Sequence, residues 1–340
     1  MRGKRAGLVR PARRCMSKLS LESIAAPVEP WLDRVNSRLD QLCDDEPSPM
    51  IAAVLQNLFD APAKRLRPLL VLLSAGAFGR LDERSVVLAC GVECLHTATL
   101  IHDDVVDSSA TRRGRETVHT MWSEGVAILA GDFMFALSAE MVASLRRPSV
   151  VSKFADAIMQ MSRAELHSPD LDDGAAAAQA DYLTKIEGKT AALIGLCASA
   201  AADLAERPSR QQERMRQLGV ALGLAFQICD DVLDLRGDPE LTGKPAGGDL
   251  LQAQLTLPIL VHLGMVPGGE VASFYDGRKA RPDRIPLALA EIGCSGALDA
   301  AVAKARDLAA EARAQLDHLP DNEFRSAISD LTEFVVDRVR

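Results

Sequence analysis

Six aspartates stand out by their spacing. Asp103, Asp104 and Asp107 form one DDxxD, and Asp230, Asp231 and Asp234 form another, with residues 108–229 between them. On a helix, the first and last carboxylates of each cluster are i and i+4 and project from one face. Like charges at that spacing repel, and a shared cation offsets the repulsion. All the donors are carboxylate oxygens, which suits Mg2+ or Mn2+ rather than Zn2+. One DDxxD alone reads equally well as a solvated helix end. Two, each following a long apolar stretch, read as one site for several divalent cations.

Basic residues accompany the acids. Arg112, Arg113 and Arg115 follow the first cluster, and Lys64-Arg65-Leu66-Arg67-Pro68 is a basic knot in an otherwise acidic chain. Cations held this close between apolar helices are costly unless an anion sits among them. A metal that bridges phosphate oxygens, with guanidinium groups taking up the remaining charge, makes a diphosphate site. A solvated basic turn and an acid–base salt-bridge network are the structural alternatives. Gly188-Lys189-Thr190 falls inside a helical stretch. A glycine there costs ~1 kcal/mol relative to alanine, so a local bend that exposes Lys189 and Thr190 is expected. It is not a phosphate-cradling P-loop, because the earlier glycine and the strand are missing. Gln227 shares neighbouring helical positions with Asp230, Asp231 and Asp234.

The elements that position these residues read as helices. Ser85–Asp107 and Leu218–Leu235 end in the two clusters. Val28–Leu42, Met50–Phe59, Ala127–Leu145 and Asp181–Ala202 repeat apolar residues at helical spacing. Ser295–Val339 does the same with a break at His318-Leu319-Pro320. Alanine and leucine abound and aromatics make up 4% of the chain, which favours an all-α fold over sheet. Residues 166–179 are a polar connection, and 236–250 are a glycine-rich loop that carries Lys244. No linker divides the chain, so 20–340 reads as one domain. Residues 1–19 read as a basic extension. The first fifteen carry six basic and no acidic residues without an apolar core, which is not a secretory signal. Met16 is an alternative start.

A net charge of −8 argues against nonspecific nucleic-acid binding. It leaves room for a small anionic substrate, because metals and a few cations invert local charge. Seven cysteines, an odd number without CxxC, read as buried thiols in a reducing, cytoplasmic setting. No apolar run reaches the ~18–20 residues of a membrane span without a charge. The longest, Val86–Ile101, contains Glu93 and His96.

KRLRP at 64–68, LIHDDVVD at 100–107, RRG at 112–114, GKTA at 188–191, FQICDDVLD at 226–234 and GKPAGGDL at 243–250 come in an order and spacing that resembles the trans-polyprenyl diphosphate synthases. The resemblance runs from about residue 20 to the end. It implies a helical bundle around a deep central cavity, with the clusters facing each other at its mouth, and a homodimer. It implies three Mg2+ ions held by Asp103, Asp107 and Asp230 on an allylic prenyl diphosphate. Asp104 and Asp234 would assist, with Asp231 less defined. Arg112, Lys189, Thr190, Gln227 and Lys244 would contact the allylic substrate, and Lys64, Arg67, His96 and Arg113 the diphosphate of isopentenyl diphosphate. The implied reaction ionises the allylic C–O bond and joins the cation to the isopentenyl double bond.

Product length follows from geometry. A helical turn rises ~5.4 Å, about one isoprene unit. The residues a turn above Asp103, Ala98 and Thr99, are small, as are Ala136, Ser138 and Ala139, although Phe133, Phe135 and Met141 are near. A long-chain product is expected, with geranylgeranyl diphosphate as the rival. Two departures stand out: Ala63 replaces a family glycine, and Ala253-Gln254 replaces Gly-Lys. The lost lysine would weaken the allylic diphosphate site by a few kcal/mol if nothing substitutes for it. A weakly active partner subunit of a heteromer, a class I terpene cyclase and a nonenzymatic scaffold are the other readings.

Overall fold

The computed structural model describes residues 19–61, 63–236, 246–275 and 282–339. Its elements are helices α1 (Leu21–Ala25), α2 (Glu29–Asp44), α3 (Pro49–Phe59), α4 (Leu66–Ala77), α5 (Glu83–Val106), α6 (Val118–Met121), α7 (Glu124–Ser144), α8 (Pro148–Glu165), α9 (Ala175–Ile186), α10 (Ala192–Leu204), α11 (Ser209–Arg236), α12 (Gly248–Leu251), α13 (Leu257–Met265), α14 (Ile285–Ser295), α15 (Ala297–Ala314) and α16 (Glu323–Asp337). The only strands among the described residues are β1 (Thr111–Arg112) and β2 (Arg115–Glu116), paired antiparallel. The fold is all-α, as expected.

The bundle is organised around α5. Asp82 caps its start by accepting from the backbone N–H groups of Arg84 and Ser85. From Ser85 to Leu95 the helix is buried on every side, which marks a central helix. It packs on α2, α4, α7 and α10. From His96 onward the pattern changes. His96, Thr99 and Asp103 are half-buried on one face, while Thr97, Ala98 and Ile101 stay sealed. This face opens as α5 approaches its acidic end.

The partner helix α11 packs on α10, which is also buried all round. Their approach requires a missing side chain: a Cβ at Gly223 would lie 2.6 Å from the Ala191 backbone. Between α9 and α10 the helix widens into a π-turn at Glu187–Ala191, a distortion at the expected place, but it leaves Lys189 half-buried and Thr190 buried rather than exposed. The C-terminal helices α15 and α16 cover α11, and a smaller core of Leu235, Leu250, Ile259, Leu263, Phe274 and Ile292 lies under α12–α14.

By length and mean hydropathy, α5 and α7 are apolar enough to cross a membrane, despite the charges that argued against a span. In α5, 72% of the apolar window is buried inside the bundle, so its hydropathy serves the core. In α7 the share is 39%, and Ile128 and Leu129 face outward, 46% and 70% exposed.

Candidate active site

The first cluster sits at the C-terminal end of α5, where the helix dipole is negative and carboxylates are unfavourable. Burial pushes the Asp103 carboxyl up to about 6, against the pull of Lys189. Lys189 Nζ lies 3.9 Å from Asp103 Oδ2 and 2.7 Å from Glu165 Oε2. Asp104 is buried and turns toward the hairpin, where its Oδ1 accepts from Arg112 Nε at 2.6 Å. Asp107 caps the helix and is exposed.

The second cluster, on α11, is wired differently at each aspartate. Asp230 Oδ1 accepts from Arg338 Nη2 at 2.9 Å, and that guanidinium lies 4.4 Å over the Phe226 ring. Both oxygens of Asp231 are taken: the Tyr182 hydroxyl donates to one, and Gln227 Nε2 donates to the other at 2.9 Å. Asp234 accepts from the backbone N–H of Asp249 at 3.0 Å, which ties α12 to α11. Thr190 Oγ1 donates to Gln227 Oε1 at 2.8 Å, so Thr190, Gln227 and Asp231 form a chain. Consecutive residues of the π-turn therefore reach opposite clusters, Lys189 toward the first and Thr190 toward the second.

These acids fit a divalent cation. Burial raises both Asp231 and Asp249, and Asp249 Oδ2 is buried without a hydrogen-bond partner. No three acidic, histidine or cysteine side chains among the described residues converge tightly enough to cage an ion.

A cationic pocket adjoins the acids. Arg65 begins α4 in the left-handed region (φ 46°), and its Nη1 contacts the buried Glu93 at 2.8 Å. Arg113 and Gly114 form the two-residue turn of the hairpin, both at positive φ (51° and 77°), the geometry of a type I′ turn. Arg67 Nε is buried without a partner, and burial lowers the pKa of both Arg67 and Arg113. His96 is held neutral, well below its usual range, by burial and then by Arg67, Arg113, Arg112 and Arg65. An orphan guanidinium N–H in a pocket with surplus positive charge is a site for an anion. Lys64 is exposed at its edge, and its charge reaches Asp230.

The structure separates the two residues expected to limit product length. Thr99 lies on the open face with Asp103, but Ala98 is 0% exposed and borders no water-sized space. Cavities of about 30 Å³ beside Arg67 and Phe226 and about 40 Å³ beside Asp104, Arg112 and Arg113 have room for no more than a few waters each. A cavity of about 430 Å³ between α8, α10 and α11 contains none of the expected site residues. Lys244 lies outside the described residues. Gln254 is exposed and donates to Gln252 Oε1 at 2.6 Å, next to Ala253 at φ 50°.

Sequence reasoning missed Glu165, Tyr182 and Arg338, and it gave no role to Arg65, Glu93 or Asp249. Arg65 and Asp249 lie inside quoted motifs. Tyr182 precedes Lys189 by about two helical turns. Glu165 and Arg338 carry no local signal.

Residues 48–292 match the polyprenyl synthetase family model. The chain is 34% identical over 327 residues to solanesyl diphosphate synthase 2 of Arabidopsis thaliana, covering 94% of this chain and 78% of that one. It superposes on a decaprenyl diphosphate synthase from Rhodobacter capsulatus with a TM-score of 0.86 and 33% identity, over 94% and 100% of the two chains. A polyprenyl synthase from Caulobacter crescentus, complexed with calcium and isoprenyl diphosphate, gives 0.87 and 35% over 94% and 98%. With two acidic clusters bridged by one π-turn beside a buried cationic pocket, the chain belongs to the polyprenyl synthetase family of trans-prenyltransferases.

Proposed function

We propose that this prenyltransferase condenses isopentenyl diphosphate with an allylic prenyl diphosphate to give a long-chain all-trans polyprenyl diphosphate. One observation carries the reading: the cleft offers two anion sites of opposite construction. One is carboxylate-lined and needs added cations, which suits the diphosphate that leaves. The other is built of Arg67, Arg113 and neutral His96, which suits the diphosphate that stays. A class I terpene cyclase handles a single diphosphate and has no use for the second site.

Asp103, Asp107 and Asp230 would hold Mg2+, as three ions, with Asp104 and Asp234 assisting; Mn2+ is the alternative. The chemistry supplied by the bound ions is charge neutralisation on the departing diphosphate. Lys189, Thr190, Gln227, Arg112 and Lys244 orient that group. Lys64, Arg67, His96 and Arg113 hold the isopentenyl diphosphate with its double bond toward the allylic carbon. The C–O bond breaks, the C–C bond forms, and the proton released goes to the freed diphosphate. Apolar walls keep water from the cation.

The assay is incubation with Mg2+, labelled isopentenyl diphosphate and geranyl or farnesyl diphosphate, followed by chromatography. Products longer than geranylgeranyl are expected, and absence of isopentenyl incorporation overturns the reading. Thr99→Phe is expected to shorten the product. Gln254 turned onto Gln252 favours a second reading, a weakly active subunit of a heteromer. Restoration of allylic affinity by Gln254→Lys would support it.

The outward-facing Ile128 and Leu129 of α7 support a homodimer. Leu129→Asp is expected to convert it to monomer in sedimentation velocity. Among the described residues the thiols are free and mostly buried, which supports a cytoplasmic setting.

A further inference from the structure

Glu165 is the last residue of α8, and an acid at that end opposes the helix dipole. Its placement does not serve the helix. It serves a contact with the π-turn. Gly188 brings the last turn of α8 against the π-turn, since a Cβ there would lie 2.6 Å from Ala164 Cβ and 2.9 Å from the Gln160 carbonyl. The residues following Ala164 and Gly188 in the chain are Glu165 and Lys189. That close approach sets their carboxylate and ammonium 2.7 Å apart. The same ammonium is 3.9 Å from Asp103. Lys189 thus stands between two carboxylates and is bound by the one that is not in either DDxxD.

We propose that Glu165 is a positioning residue that diverts Lys189 from Asp103. Without it, the ammonium closes onto Asp103 and forms a tight ion pair. Asp103 is then occupied by an internal cation, and Lys189 is withdrawn from the place where a diphosphate would meet it. With it, Lys189 is held off Asp103, which is left for an added cation. Glu165 acts through Lys189 and touches no substrate. The inference rests on the prenyltransferase reading of the cleft.

The test is calorimetric titration of inorganic diphosphate with and without Mg2+, the difference giving the Mg2+-dependent binding without turnover. Glu165→Gln is expected to weaken that binding roughly tenfold, the scale of a lost charge-assisted hydrogen bond. Glu165→Asp is expected to recover part of it. In a Lys189→Ala background, Glu165→Gln is expected to change nothing further, because both substitutions act on one interaction. In turnover, KM for the allylic substrate is expected to rise while KM for isopentenyl diphosphate holds. Unchanged or tighter binding in Glu165→Gln, or an equal loss in the Lys189→Ala background, would overturn the proposal while leaving the function intact. Absence of Mg2+-dependent binding by the unsubstituted protein would overturn both.

Discussion

Asp203 and Asp103 both lie near the C-terminal end of a largely buried helix with a lysine in reach, and their chemical states differ. Asp203, 1% exposed, accepts from Arg147 Nε at 2.8 Å, from Ser149 Oγ at 2.9 Å and from Lys153. Burial pulls its pKa up, but those three donors pull harder and hold it below the usual carboxylate range. Asp103 has one ion-pair partner among the described residues, Lys189 at 3.9 Å, and that ammonium is closer to Glu165. Burial wins there, and the carboxyl rises to about 6. One acid is neutralised by its own chain and fastens α8 to α10. The other is left short of positive charge, which is what the proposed metal site requires.

Asp103→Asn should separate the two cases most sharply. Condensation is expected to fall by about a thousandfold or more, on the scale of losing a transition-state charge partner. The thermal midpoint is expected to rise, because a poorly paired, half-buried charge is removed. Isopentenyl incorporation and calorimetry read the two effects, and a lower midpoint would break the comparison. Asp203→Asn should do the reverse. It is expected to cost about 2–3 kcal/mol in denaturant unfolding and leave kcat within about twofold. The loss stays below that of a sealed pair because Arg147 and Lys153 remain 35% and 28% exposed.

Acid titration sharpens the same contrast. The folded pKa of Asp203 is depressed. Its contribution is therefore fully present above the unfolded value of ~3.9 and is lost as pH falls through the folded value. The stability gap between the unsubstituted protein and Asp203→Asn is expected to be full at about pH 5 and above and to close below about pH 4. A gap that persisted at lower pH would place the folded pKa lower still or assign the stabilisation to packing. The smallest effect belongs to an intermediate case. Thr190→Val removes the hydroxyl that donates to Gln227, which in turn donates to Asp231. A loss of about 1 kcal/mol is expected, read as a severalfold rise in KM for the allylic substrate at nearly constant kcat.

Much of this was legible in the chain. The apolar run before Asp103 and the one before Asp230 specify α5 and α11, and glycine in a helical stretch pointed to the distortion at Lys189. Periodicity gives the face a residue occupies, not what packs on that face. Ala98 and Thr99 look alike as small residues above Asp103, yet one is sealed and the other open. The oxygens of Asp231 look available until Tyr182 and Gln227 are seen to use them. Arg338 meets Asp230 across 108 positions of sequence, and Glu165 meets Lys189 only because Gly188 has no side chain. Contacts of this kind depend on tertiary approach, which no local pattern encodes.

The π-turn at Glu187–Ala191 also means that this site is specified partly by counting. An α-helix turns about 100° per residue, and the widened turn holds one residue more than a regular one. Deleting Glu187 would let the helix close into ordinary register with its composition almost unchanged. The turn would then hold four residues in place of five, so α10 would keep its direction while the residues inside the turn shift against α9. Lys189 and Thr190 would still be present, still adjacent and still helical, but no longer addressed to the two clusters. An insertion or deletion of one residue here is therefore more consequential than most substitutions, and a sequence that keeps every motif intact can lose the site by length alone.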